Sequence, residues 1–151
     1  MKEPISFFVT GEPKGQPRPR ACIRGKRAGV YDPGTAVQWK ACVGAAWIRY
    51  QDTHGPVEAH AGPVALALTF MIARPASHYG SGKNAGLLKN SAPAIPTGKP
   101  DFDNLAKAVA DELTNCGAWR DDAQISSCII RKRYADTAAQ GCRVTITEDA
   151  A

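Results

Sequence analysis

Hydrophobic positions along the 151-residue chain change their period several times, and each change marks a structural element. Ile5 to Thr10 alternates weakly and reads as a strand that stops at Gly11-Glu12-Pro13. The stretch KGQPRPR, residues 14–20, contains two prolines and predicts an extended arm. Ala21 to Arg24 and Gly29 to Tyr31 predict two short strands joined by the basic turn Gly25-Lys26-Arg27. Asp32-Pro33-Gly34-Thr35 is a turn suited to capping a helix. From there to about Gln51, Trp39, Val43, Ala46 and Tyr50 recur at helical spacing.

The clearest strand follows Gly62-Pro63. Val64, Leu66, Leu68, Phe70 and Ile72 alternate with Ala65, Ala67, Thr69 and Ala73, so one face is large and the other small. That pattern predicts a central strand with helices packed against it. Residues 74–100 lose all period and are rich in Gly, Ser, Asn, Ala and Pro, as expected of a flexible basic loop that orders on a substrate or of a tolerated insertion. A second helix is expected to start at Asp101–Asp103 and to end near Gly117, with Leu105, Ala108, Val109, Leu113 and Cys116 facing inward. Gln124 to Tyr134 and Cys142 to Thr147 predict the last strands. With no internal repeat and no linker, the chain reads as one α+β domain over residues 1–151. Its expected form is a small mixed or antiparallel sheet packed with two main helices.

Composition alters this picture little. The 44% hydrophobic and 22% charged shares are globular values, and no apolar run is long enough to span a bilayer. The N-terminal residues do not resemble a signal peptide, so a cytoplasmic location is expected. Five scattered cysteines, an odd number without a Cys-x-x-Cys pair, predict buried free thiols in a reducing compartment and argue against zinc.

Charge alters it more. The net charge is +5, and Lys14, Arg18, Arg20, Arg24, Lys26 and Arg27 cluster near the start. No acid lies between Glu58 and Asp101, after which acids crowd into residues 101–122. Basic arms around one acidic pocket suit an enzyme that holds phosphates and uses a metal ion on one of them.

The acids fall in KPDFDNLAKAVADELTNCGAWRDDAQI, residues 99–125. Asp101 and Asp103 share the helix start, while Asp103, Lys107 and Asp111 form a stripe at four-residue spacing. Capping and the helix dipole account for aspartates at such a position, and an exposed Asp-Lys pair contributes only about 0.2–0.5 kcal/mol. Three features favour chemistry. Two carboxylates in one turn cannot both be the N-cap, a second acidic pair (Asp121 and Asp122) follows the helix, and no competing nucleophile or phosphate loop is present. Clustered carboxylates bind hard divalent cations, which activate water and polarise a phosphate. A nearby lysine can then offset charge in the transition state.

The motif DxDNLxK (Asp101 to Lys107), followed by the acidic pair in WRDDAQI, resembles the RusA-type family of Holliday junction resolvases found in bacteria and their phages. The resemblance extends to the arm GEPKGQPRPR and to GVYDP before the first helix. It implies a crossover junction endodeoxyribonuclease in which Asp101, Asp103 and Asp122 bind magnesium, with manganese able to substitute, and Lys107 is needed for catalysis. Asp121 is a neighbouring family acid of secondary rank, and Asn104 is expected to fasten the helix start. The resemblance further implies a homodimer acting on four-way junctions and other branched DNA. Lys14, Arg18 and Arg20 in the arm, with Lys83 and Lys89 in the loop, are expected to neutralise DNA phosphates. A junction-binding protein without catalysis, and a nuclease for other branched nucleic acids, are the competing expectations.

Overall fold

The computed structural model describes residues 2–150. Its strands and helices run in the order β1 (Ile5–Thr10), β2 (Arg20–Arg24), β3 (Arg27–Tyr31), α1 (Val37–His54), β4 (Val64–Ile72), α2 (Phe102–Asn115), β5 (Ile125–Tyr134) and β6 (Gly141–Glu148). Four strands form a mixed sheet in the order β1-β6-β4-β5, and β2 and β3 form a separate hairpin. The chain is therefore one α+β domain, although the hairpin does not join the main sheet.

The alternation in β4 makes it central. Val64, Leu66, Leu68 and Phe70 are buried, and β4 pairs antiparallel with β6 and parallel with β5. Each large apolar side chain that leaves water contributes roughly 1.5–3 kcal/mol. Trp39, Val43, Ala46 and Trp47 of α1 and Leu105, Ala108, Val109 and Leu113 of α2 complete the same core. Both helices cover the large-residue face. Among the described residues no helix covers the face carrying Ala65, Ala67 and Thr69, so the expected packing is confined to one side.

Parallel pairing of β4 with β5 requires a crossover connection, which residues 73–124 supply through α2. The helix runs back against the strand direction. Its start therefore lies at the C-terminal ends of β4 and β5, where the Lys132 ammonium donates to the carbonyls of Gly98 and Pro100 at 2.6 and 2.8 Å. Its end lies where β5 begins.

Local details refine several boundaries. The Asp32 turn forms, with the Gly34 N–H donating to Asp32 Oδ1 at 2.7 Å, but the N-cap of α1 is Ala36 and no side chain caps that helix. The Asp32 carboxylate is spent on its own turn. Helix α1 continues to His54, three residues beyond the expected end. Gly117 does terminate α2: at φ +82°, it lets its own N–H reach Thr114 O and the Ala118 N–H reach Leu113 O, the paired bonds of a Schellman ending. Residues 74–100 are largely irregular, with 3₁₀ turns at Ala76–His78 and Gly82–Asn84. The Arg74 guanidinium ties the segment down. It forms two bonds to the Asp136 carboxylate, donates to Pro93 O at 2.7 Å and lies 4.1 Å from the centre of the Tyr134 ring.

All five cysteines are free, but the expectation that they are buried holds only for Cys142. Cys22, Cys42 and Cys116 are half-buried. Cys128 is exposed on β5, because that strand is an edge strand with little covering it.

Candidate active site

The arm and the start of α2 meet through the backbone. The Gln16 N–H donates to Asn104 O at 2.8 Å, and a Cβ on Gly15 would stand 3.0 Å from Asn104 Cβ. Glycine thus lets the arm lie close against the first turn of α2. The result is a cleft of about 470 Å³ lined by Lys14, Gln16, Lys99, Asp101, Asn104 and Gln140, among others. It opens beyond the C-terminal ends of β4 and β5, where open α/β sheets commonly bind ligands.

Asp101 is the N-cap residue of α2, yet its side chain makes no capping bond. Its Oδ2 accepts instead from the Lys99 ammonium at 2.9 Å. That bond, with the charges of Lys99, Lys132 and Arg18 nearby, holds the carboxyl below its ordinary value of 3.8 despite some desolvation. Asp101 is therefore ionised throughout the neutral range. Asp103 accepts from the Asn104 N–H at 2.9 Å and is otherwise open to solvent. Phe102, between the two acids, is 60% exposed.

The second acidic group has its own surroundings. Asp121 caps the 3₁₀ turn Asp122–Gln124, accepting from the Ala123 N–H at 2.8 Å. Gln124 closes the turn by accepting from the N–H groups of Arg120 and Asp121 and by donating to the carbonyls of His60 and Gly62. Capping occupies Asp121, whereas the exposed Asp122 side chain has no hydrogen bond among the described residues. Both acids line a hollow of about 360 Å³ with Asp111, Lys40 and Arg120. Lys107 joins this side of the helix through its ammonium, 3.2 Å from Asp111 Oδ1. Trp119 is buried and donates to Thr114 Oγ1 at 2.8 Å, so it packs the turn from beneath.

Asp101 and Asp103 thus stand two residues apart at the start of α2, and Asp121 and Asp122 line one hollow, but among the described residues the two groups do not form one metal-holding cluster. Asp111 lies eight residues along α2 from Asp103, about 12 Å at the helical rise. Carboxylate oxygens sharing one magnesium ion lie no more than about 4 Å apart. Among the described residues no group of three His, Cys, Asp or Glu could hold a metal ion. The set Asp101, Asp103 and Asp122 therefore does not fit a magnesium ion within one chain.

The sequence profile described as Endodeoxyribonuclease RusA matches residues 10–147. This chain belongs to the RusA family. A relative in Bacillus subtilis (strain 168), bearing the name "Uncharacterized protein YqaN", is 34% identical over 137 residues, covering 87% of this chain and 89% of its own length. Family membership implies an endonuclease of the Holliday junction resolvase type.

Of the basic residues expected at DNA in this RusA-family chain, Lys14 lines the cleft and pairs with Glu12 at 3.0 Å. Arg18 is close enough to influence Asp101, and Arg20 opens β2. Lys83 lies in the second 3₁₀ turn, and Lys89 helps line a separate small hollow within its own segment. Sequence reasoning passed over Lys99 and Lys132, which set the electrostatics of Asp101 and the position of the chain before it. Lys132 had a legible signal, because it occupies an inward position after Cys128 and Ile130 on β5. Asp111, the last residue of the expected stripe, shares both the Lys107 pair and the second hollow.

Proposed function

We propose that this protein is a magnesium-dependent endonuclease that resolves four-way DNA junctions by paired nicks in strands of like polarity. The observation that carries the reading is the uncapped, ionised Asp101, two residues before Asp103, in a cleft bordered by the cationic arm of a RusA-family chain. A carboxylate that served only the helix would turn onto the N–H groups of the first turn. Asp101 faces a lysine instead. Lys14, Arg18 and Arg20 neutralise backbone phosphates, with Lys83 and Lys89 as further contacts, and the bound strand is steered toward the acids. Lys107 supplies positive charge on the exposed stripe of α2. Asp101 and Asp103 are the proposed metal ligands, with manganese able to substitute, and the working form is a homodimer in the bacterial cytoplasm.

A nicking assay on a mobile-core four-way junction and a linear duplex, with and without magnesium, tests this. Symmetric metal-dependent nicks confined to the junction are expected. Equal cleavage of other branched DNA would withdraw junction selectivity. Tight junction binding with no nicks under magnesium or manganese would replace the enzyme with a binding protein.

A further inference from the structure

We infer that the cleft beside Asp101 is a nucleobase subsite, in which the carboxamides of Gln16, Asn104 and Gln140 hold one unstacked base of the branched DNA. The inference rests on the proposed nuclease reading and names the part of the substrate that this cleft recognises.

The three carboxamides come from three segments. Gln16 lies in the arm, Asn104 in the first turn of α2 and Gln140 directly before β6, and all three line the cleft of about 470 Å³. Main-chain bonds hold these segments together. The Gln16 N–H donates to Asn104 O at 2.8 Å, and the Gly11 N–H donates to Gln140 O at 3.2 Å. Asn104 and Gln140 accept there through the backbone, so their side-chain amides keep no hydrogen bond among the described residues. Gln16 Oε1 is shielded from solvent and likewise has no partner among them. A shielded acceptor without a donor weakens the fold, so a ligand accounts for it better than packing does.

The chemistry of these groups narrows the ligand. A carboxamide offers a donor and an acceptor side by side. Phosphate oxygens only accept, and a cation takes only lone pairs, whereas the edge of a base presents both kinds of group. Pro13, Ile72 and Pro100 add apolar surface to the same cleft for the faces of a planar ring. Lys14 and Lys99, both exposed, also line it and suit the phosphate of the same nucleotide. The volume lies within the roughly 300–1,000 Å³ of small-molecule sites.

A base reaches such a cleft only by leaving the stack. That costs least where stacking is already interrupted, as at the point where strands exchange in a junction. Linear duplex would meet the full cost, so the subsite favours branch points. Because the walls are tied by main-chain bonds, little ordering is left for the moment of binding.

The test uses four-way junctions of fixed core, each carrying one 2-aminopurine or pyrrolocytosine at a base flanking the crossover. The full chain binds them in EDTA, so no strand is cut, and the analogue brightens when it loses its stacking neighbours. The wild type is expected to brighten one position. Gln16→Leu and Gln140→Leu, with melting temperatures near that of the wild type, should lose most of that rise while still binding the junction. No brightened position in the bound wild-type complex, or equal brightening in both variants, would overturn the subsite. With magnesium, exchanging the base at the brightened position should change the wild-type nicking rate by about tenfold and that of Gln16→Leu far less. Equal sensitivity in the two would remove Gln16 as a reader of the base and overturn the proposal. Absence of wild-type nicking counts against the nuclease reading alone, because the comparison in EDTA decides the subsite without turnover.

Discussion

At the scale of single residues, Asp101, Asp103 and Lys107 are side chains whose surroundings give the fold little return. Among the described residues Asp103 is bonded only to the adjacent amide, and the exposed Lys107–Asp111 pair is of a kind that contributes about 0.2–0.5 kcal/mol. Asp103→Asn is therefore expected to leave the melting temperature and junction binding nearly unchanged while nicking falls by about 100-fold or more, the scale of losses at metal sites. Undiminished nicking would remove Asp103 from the site. Lys107→Met should behave alike, with a lower rate constant at saturating junction and an unchanged melt. His60 is the opposite kind of residue, 2% exposed and with Nε2 lacking a hydrogen-bond partner. Burial, reinforced by Lys2 and opposed by Glu148, lowers its pKa below the ordinary 6.5. The unfolded chain takes up a proton near pH 6.5 and the folded chain only at lower pH. The contribution of His60 to stability is therefore present above pH 6.5 and lost as the pH falls through its folded value. Thermal melts from pH 7 to pH 5 should decline for the wild type and less steeply for His60→Phe, and parallel declines would assign the acid sensitivity to other groups.

At the scale of elements, the end of α2 determines where the second acidic group stands. Gly117 holds φ +82°, and its bonds with those of Ala118 turn the chain toward Trp119 and the Asp121 turn. Gly117→Ala should cost about 1 kcal/mol or more, since alanine is strained at positive φ. A chemical-denaturation midpoint lowered without a change in slope would show this, and an unchanged midpoint would mean the ending relaxes freely. This ending was legible in the chain because glycine after an amphipathic run has a local cause, and so were the alternation in β4 and the apolar face of α2. The separate hairpin was less legible. β2 and β3 are exposed on nearly every residue, so no alternation reveals which sheet they join. The grouping of the acids was legible only as a motif. DxDNLxK and the later Asp-Asp pair are neighbours in a family signature, but the fourteen-residue helix between them is about 21 Å long. Chain order carries no information on whether two such groups meet in one copy or across two.

At the scale of the whole molecule, the charge is divided by location. The arm holds Lys14 in the cleft lining, Arg18 near Asp101 and Arg20 where it runs into β2, and the bare sheet face carries Arg131, Arg133 and Arg143. Both are basic, yet they differ in what surrounds them. Lys14 and Arg18 stand near Asp101, where a phosphate would be drawn toward the acids, whereas the sheet arginines lie on the side away from both helices. Salt dependence separates the two surfaces, because each neutralised duplex phosphate contributes about 0.9 to the slope of log affinity against log salt. If the arm carries the junction, alanine at Lys14, Arg18 and Arg20 together should lower that slope by roughly 2–3, weaken binding at low salt and slow nicking in proportion. Alanine at Arg131, Arg133 and Arg143 should change the slope much less. The reverse result would transfer the DNA to the bare sheet face. That face lies across the sheet from the helices, so DNA bound there would approach the acids only around a sheet edge. The relative slopes therefore decide whether the strand meets Asp101 directly or the cleft serves another purpose.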